Sequence, residues 1–156
     1  MTQPIPQGFH SVNVSLTLKD SAKALEFYKK AFSAKVLTVM PNLNGKGVMH
    51  ATMQIGDSIV MMGDEGMGGC KSAETLRDTP VTFYIYTENA DALFNQAVKA
   101  GAVAAMPMSD AFWGDRWGQV EDPFGYKWSI ATQKRVLSPE EIRKGAEAFF
   151  AAMAKK

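Results

Sequence analysis

Asp122-Pro123-Phe124-Gly125-Tyr126-Lys127-Trp128-Ser129-Ile130-Ala131-Thr132 begins as a turn and ends as a strand. Proline in the second position of Asp122-Pro123-Phe124-Gly125 presets the backbone for a reversal, and a strand is expected over residues 127–131. Outward from this stretch, strands are expected over residues 118–121 and 102–106. Before them, Asn89 can cap a helix that runs through Leu93 to Ala100 and meets a glycine, Gly101, where helices commonly end. The unit starts with a strand over residues 81–86, in which Val81, Phe83 and Ile85 oppose Thr82, Tyr84 and Tyr86. The order is strand, helix and three strands.

The first half of the chain has the same order. Residues 11–18 alternate Val12, Val14, Leu16 and Leu18 with Asn13, Ser15 and Thr17, the pattern of a strand with one wet face. Asp20 or Ser21 can cap the helix that follows, in which Leu25, Tyr28 and Phe32 share a face. A strand over residues 35–40 turns through Asn42-Leu43-Asn44-Gly45 into residues 47–55, where Met49, Ala51, Met53 and Ile55 oppose His50, Thr52 and Gln54. Gly56-Asp57 then turns the chain into a strand over residues 58–62.

Ala22, Ala24, Leu25 and Ala34 recur 68 residues later as Ala90, Ala92, Leu93 and Ala102. The repeated element order carries more weight, because two such units can bury each other's faces where neither would be stable alone. The chain therefore divides into a first module over about residues 9–63, a glycine-rich linker over 63–80, a second module over about 81–135 and a terminal helix over 138–154. That helix starts with a cap, proline and glutamate at Ser138-Pro139-Glu140-Glu141, and carries an apolar stripe of Ile142, Ala146, Phe149 and Met153.

Length and composition narrow the function. A chain of 156 residues suits one domain, and 17 Lys and Arg against 16 Asp and Glu leave a formal charge of +1, unlike a nucleic-acid binder. With 46% hydrophobic and 10% aromatic residues the chain reads as globular. One cysteine, Cys70, makes no internal disulfide, and residues 1–7 lack an apolar run, so a cytoplasmic protein without a membrane partner is expected. No phosphate loop, paired cysteines or Gly-x-Ser-x-Gly elbow occurs.

The paired units, with Ala24-Leu25-Glu26-Phe27-Tyr28, Met49-His50-Ala51, Phe112-Trp113-Gly114-Asp115-Arg116-Trp117-Gly118 and the stretch quoted above, resemble the PhnB-like branch of the vicinal oxygen chelate superfamily, which includes glyoxalase I and bleomycin-resistance proteins. The resemblance implies an α+β fold of two βαβββ modules forming cupped half-barrel sheets plus a C-terminal helix, and a homodimer. In the superfamily's metalloenzymes four ligands, mostly His and Glu, line the cup. The corresponding positions here are Asn13, Val60 or Met61, Val81 or Thr82, and Ser129. None carries imidazole, carboxylate or thiolate, the donors a divalent transition metal requires, so no metal or other cofactor is expected.

Strand parity places Asn13, Ser15, Thr17, His50, Thr52, Gln54, Thr82, Tyr84, Tyr86 and Ser129 on wet faces. Brought together, they would line a concavity for a small polar or aromatic molecule. Candidate ligand-binding residues are Asn13, His50, Thr82, Tyr84, Trp113, Arg116 and Ser129. His50 is the one titratable group suited to act as base or donor, and Arg116 offers a fork for an anion beside the Trp113 stacking wall. The competing reading pairs Asp115 with Arg116 and buries both tryptophans. Met61, Met62 and Met67 could form an adaptable lid. The leading expectation is a metal-independent small-molecule-binding protein. Three alternatives remain open: an enzyme recruiting metal through His50 and Glu121, an enzyme with His50 as general base, and a partner-binding protein using the terminal stripe.

Overall fold

The structure, a computed structural model, describes residues 3–66 and 68–155, so Met67 of the expected lid lies outside the described residues. The first module comprises β1 (Val14–Leu18), α1 (Ser21–Phe32), β2 (Lys35–Pro41), β3 (Val48–Ile55) and β4 (Ser58–Asp64). After a single helical turn, α2 (Ala73–Leu76), the second comprises β5 (Thr82–Tyr86), α3 (Ala90–Ala100), β6 (Val103–Asp110), β7 (Asp115–Glu121) and β8 (Lys127–Gln133), and α4 (Pro139–Met153) follows. Each module is one four-stranded mixed sheet, ordered β1-β4-β3-β2 and β5-β8-β7-β6. In each, the first and last strands pair in parallel and the other pairings are antiparallel. The α+β fold of two βαβββ modules and a terminal helix is as the sequence implies.

Local chemistry sets the elements. Asp20 caps α1 through the amide of Lys23, and Asn89 caps α3 through that of Ala92. Ser138 and Glu141 close the expected capping box of α4. Asp64 ties its module together by accepting from the amides of Ser21 and Val48, both at 2.8 Å. In the linker, Glu65 accepts from the Ser72 amide and the Thr75 hydroxyl, both at 2.9 Å, pinning α2 to the end of β4.

One face of each sheet is covered by its helix. Leu16, Leu18, Ala51, Met53, Val60 and Met62 of the first module are buried there, as are Val120, Trp128 and Ile130 of the second. The modules join through α1 and α3. The Gln96 side chain of α3 donates to the carbonyls of Lys30 and Ala31 at the end of α1. Beside it, Tyr28 and Phe27 of α1 lie 6.0 and 5.8 Å, ring to ring, from Phe124 in the turn before β8. The core is therefore continuous across the repeat, and neither α1 nor α3 covers the opposite faces, although Thr52, Asp115 and Ser129 there are themselves buried.

Three boundaries differ from expectation by three residues or more. Residues 11–13 do not join β1, and Val12 is 87% exposed. There, Asn13 accepts from the His10 amide and donates to the His10 carbonyl, closing a turn that competes with the strand ladder. Strand β6 runs on past Pro107, which has no N–H to give, and its register to β7 shifts between Met106 and Ser109. Strand β7 begins at Asp115, three residues before Gly118, because Asp115, Arg116 and Trp117 pair with Gln133, Thr132 and Ala131.

Candidate functional site

The earlier start of β7 decides which side chains meet. Alternation from Asp115 places Asp115, Trp117 and Gln119 on the open face and turns Arg116, Gly118 and Val120 toward α3. Across the sheet, Tyr84 pairs with Ser129 and Ser129 with Gln119, while Tyr86 pairs with Ala131 and Ala131 with Trp117. Small residues thus form the middle of each row, flanked by tyrosines on β5 and by Gln119 and Trp117 on β7.

The turn before β7 adds Trp113. Gly114 has φ +103°, and a Cβ there would lie 2.5 Å from the Arg135 carbonyl oxygen, so only glycine lets this reversal pass so close to the segment after β8. The turn aims the Trp113 indole at Asp115, to whose Oδ2 it donates at 3.0 Å. The Tyr86 hydroxyl donates to the same oxygen at 2.9 Å. Tyr84 stacks on Tyr86 at 5.2 Å and Trp113 meets Trp117 edge-on at 5.6 Å. Burial, with Tyr86 and Asp115 adding to it, pushes the Tyr84 hydroxyl up to about 12; the bond to Asp115 likewise raises Tyr86. Both remain neutral phenols at physiological pH.

Tyr84 and Tyr86 also border a cleft of about 640 Å³ between the modules, with Thr82 of β5 and Asn13, Val14, Ser58 and Val60 on the opposite side. A second cleft of about 370 Å³ lies beside the linker, against Ser15, Thr17, Lys71, Asp78, Thr79 and Tyr126. From the other end, α4 crosses the Trp113 turn: Phe112 lies 5.7 Å from Phe149 and 6.4 Å from Phe150, ring to ring.

Of the expected ligand-binding residues, Asn13, Thr82 and Tyr84 line the larger cleft, and Trp113 and Ser129 share the open face with Tyr84. Ser129 is 2% exposed and accepts from the Gln119 amide at 3.2 Å. His50 stands apart on the first sheet, opposite Met40, with its Nε2 3.2 Å from the Thr52 hydroxyl. Arg116 lies on the opposite face. Its guanidinium grips Asp91 of α3 at 2.8 and 3.0 Å and reaches Asp110 at 3.5 Å, so it is engaged on the helix side and is not a free fork for an anion. The competing ion pair of Asp115 with Arg116 does not form either, since neighbours in a strand point to opposite faces. Strand alternation carried back past Gly118 places Asp115 beside Trp117 and Gln119, a signal present in the sequence.

The positions that carry metal ligands in related metalloenzymes do not suit a metal here. Asn13 is tied to the His10 backbone, Val60 is buried hydrocarbon and its alternative Met61 a thioether, Val81 is hydrocarbon, and its alternative Thr82 and Ser129 offer neutral hydroxyls. Among the described residues, no three His, Cys, Asp or Glu side chains come together as a metal ion would need.

Two mixed sheets of this topology, each with a helix across one face and a cleft between them, define a paired-module α+β fold with a ligand-sized opening. The chain belongs to the Glyoxalase/Bleomycin resistance protein/Dioxygenase superfamily, whose family model matches residues 9–130. It is 39% identical over 132 residues to Rv0887c of Mycobacterium tuberculosis, covering 82% of this chain and 77% of that one. The X-ray structure of the Arabidopsis thaliana At5g48480 product superposes with a TM-score of 0.63 at 29% identity, over 79% of this chain and 98% of that one. The PhnB protein of Bacillus cereus shares the fold, with a TM-score of 0.60 at 16% identity over 79% and 99% of the two chains. Among the described residues, no helix is long and apolar enough to cross a membrane.

Proposed function

We propose that the chain is a metal-independent binding protein for a small polar or aromatic molecule, held in the cleft between the modules. The observation that carries this reading is the cleft's wall: about 640 Å³ of space in which the neutral hydrogen-bonding groups of Tyr84, Tyr86, Thr82 and Asn13 stand among apolar side chains such as Val14 and Ile85, with His10 and Asp57 also on its border. Space of this size suits a small organic ligand, with rings for stacking and few polar groups to orient it. His50, the candidate general base, does not border that cleft; His10 and Asp57, both exposed, are the imidazole and carboxylate that do. The reading includes a cytoplasmic homodimer. Phe149, Phe150 and Met153 of α4 are 49%, 61% and 58% exposed, leaving an apolar surface that a second copy would cover.

The test is elemental analysis and native mass spectrometry of protein purified without chelator. The expected result is no stoichiometric transition metal, a dimer mass and one small molecule bound per chain. A stoichiometric metal would overturn the reading and move the argument to the enzymes of the superfamily.

A further inference from the structure

The aromatic corner of the second module encloses a carboxylate without a counter-charge. Asp115 is 3% exposed, and both of its side-chain hydrogen bonds, from Tyr86 and Trp113, fall on Oδ2. Among the described residues, Oδ1 accepts no hydrogen bond but is not fully buried, so it keeps contact with solvent; Asp115 makes no ion pair, and the nearest guanidinium in sequence, that of Arg116, is held by Asp91. Buried carboxylates are normally paired, and two neutral donors on one oxygen leave the charge uncompensated. The buried indole N–H of Trp117, whose ring lies 5.6 Å from that of Trp113, has no acceptor; as a donor it would be met by an oxygen elsewhere on a ligand and not by its cationic group.

The rings around the carboxylate narrow the chemistry. Tyr86 and Trp113 donate to the carboxylate, Tyr84 stacks on Tyr86 and Trp117 meets Trp113 edge-on; aromatic rings attract cations through their faces, and Tyr84 and Tyr86 continue into the wall of the larger cleft. A lone carboxylate is too few donors for a metal ion, and an anionic ligand would meet like charge. We propose that this corner receives the ammonium group of a small organic cation, a protonated or quaternary amine, whose remainder occupies the cleft between the modules. This rests on the reading of that cleft as a small-molecule site and assigns its ligand class.

The test titrates three ligands of similar size into the full-length chain at neutral pH: benzyltrimethylammonium, benzyl alcohol and benzoate, followed by calorimetry and tryptophan fluorescence. The cation should bind about tenfold tighter than the alcohol, and benzoate weakest. Asp115→Asn should abolish that preference while keeping the affinity for benzyl alcohol. In the unmutated protein the cation should shift the Trp113 indole N–H resonance, a readout that does not depend on how the variant folds. Equal affinity for cation and alcohol would overturn the assignment and leave the small-molecule reading standing. A preference that survives Asp115→Asn, or an unmoved Trp113 resonance, would also overturn it. Failure of all three ligands to bind would remove both.

Discussion

Asp122 and Asp115 are both buried carboxylates, and each accepts from one tyrosine hydroxyl and one tryptophan indole. At Asp122 the donors are Tyr28 at 2.7 Å and Trp128 at 2.8 Å, and the amides of Phe124 and Tyr126 add two more bonds at 2.9 Å. Both oxygens are used, and the group locks α1 of one module to the turn before β8 of the other. At Asp115 only Oδ2 is engaged, and both donors come from its own module's open face. The same residue types thus make a closed joint in one place and an unfinished one in the other, and the difference lies in backbone amides and location.

The largest effect should follow from breaking the closed joint. Asp122→Ala strands four buried donors at the contact between modules, and a loss of about 3 kcal/mol or more in urea unfolding is expected. If the variant unfolds at the same urea concentration as the parent, the modules do not depend on this joint.

The tyrosines sharpen the comparison. Tyr28→Phe removes a hydroxyl from a fully buried residue and should cost about 2 kcal/mol, because the bond is to a carboxylate away from water. Tyr86→Phe removes the matching hydroxyl from a residue 63% exposed and leaves Trp113 donating to the same oxygen, so its cost should be well under 1 kcal/mol. Denaturant titrations of the two variants that give equal losses would erase the distinction between the two sites.

Acidity separates the closed joint by a third route. Burial raises the Asp122 carboxyl above the ordinary 3.8, against the pull of its four donors. Between 3.8 and that raised value the folded chain holds the proton more firmly than the unfolded one, so this group's contribution to stability falls as pH rises through the window. Glu65 and Asp91 shift the other way, Glu65 through its bonds to Ser72 and Asp91 through Arg116, and their contributions are lost as pH falls. Comparing the parent with Asp122→Asn isolates the first effect: the parent's advantage should widen on acidification from neutral pH toward 3.8. An advantage that narrows over that range would show that the donors outweigh the burial.

How much of this was legible in the chain follows from the same two residues. The Asp122-Pro123-Phe124-Gly125 turn is written in local chemistry, so the turn, the strand after it and the repeated module order could be read directly. That Asp122 also binds Tyr28 depends on a contact 94 residues away in sequence, which no local pattern encodes. Asp115 was hidden differently. Gly114 and Gly118 make its segment look like a loop, yet Asp115, Arg116 and Trp117 pair with β8 and acquire strand alternation through that pairing. Once the strand is extended, the faces of Asp115 and Arg116 separate, and the ion pair between them disappears as a possibility.

Arg116 supplies the smallest expected effect and the cleanest boundary to the site. It lies on the helix side of β7, held by Asp91 and Asp110, with side-chain exposures of 28%, 48% and 84% for the three residues. Ion pairs this open to solvent contribute little, because water already stabilises both charges and the long side chain loses freedom on pairing. Arg116→Ala should therefore lower the melting midpoint less than Tyr28→Phe and leave the affinity for benzyltrimethylammonium unchanged. Loss of that affinity, with the fold intact by circular dichroism, would mean that the two faces of β7 are coupled and that the Asp115 corner depends on charge held on the opposite side of the sheet.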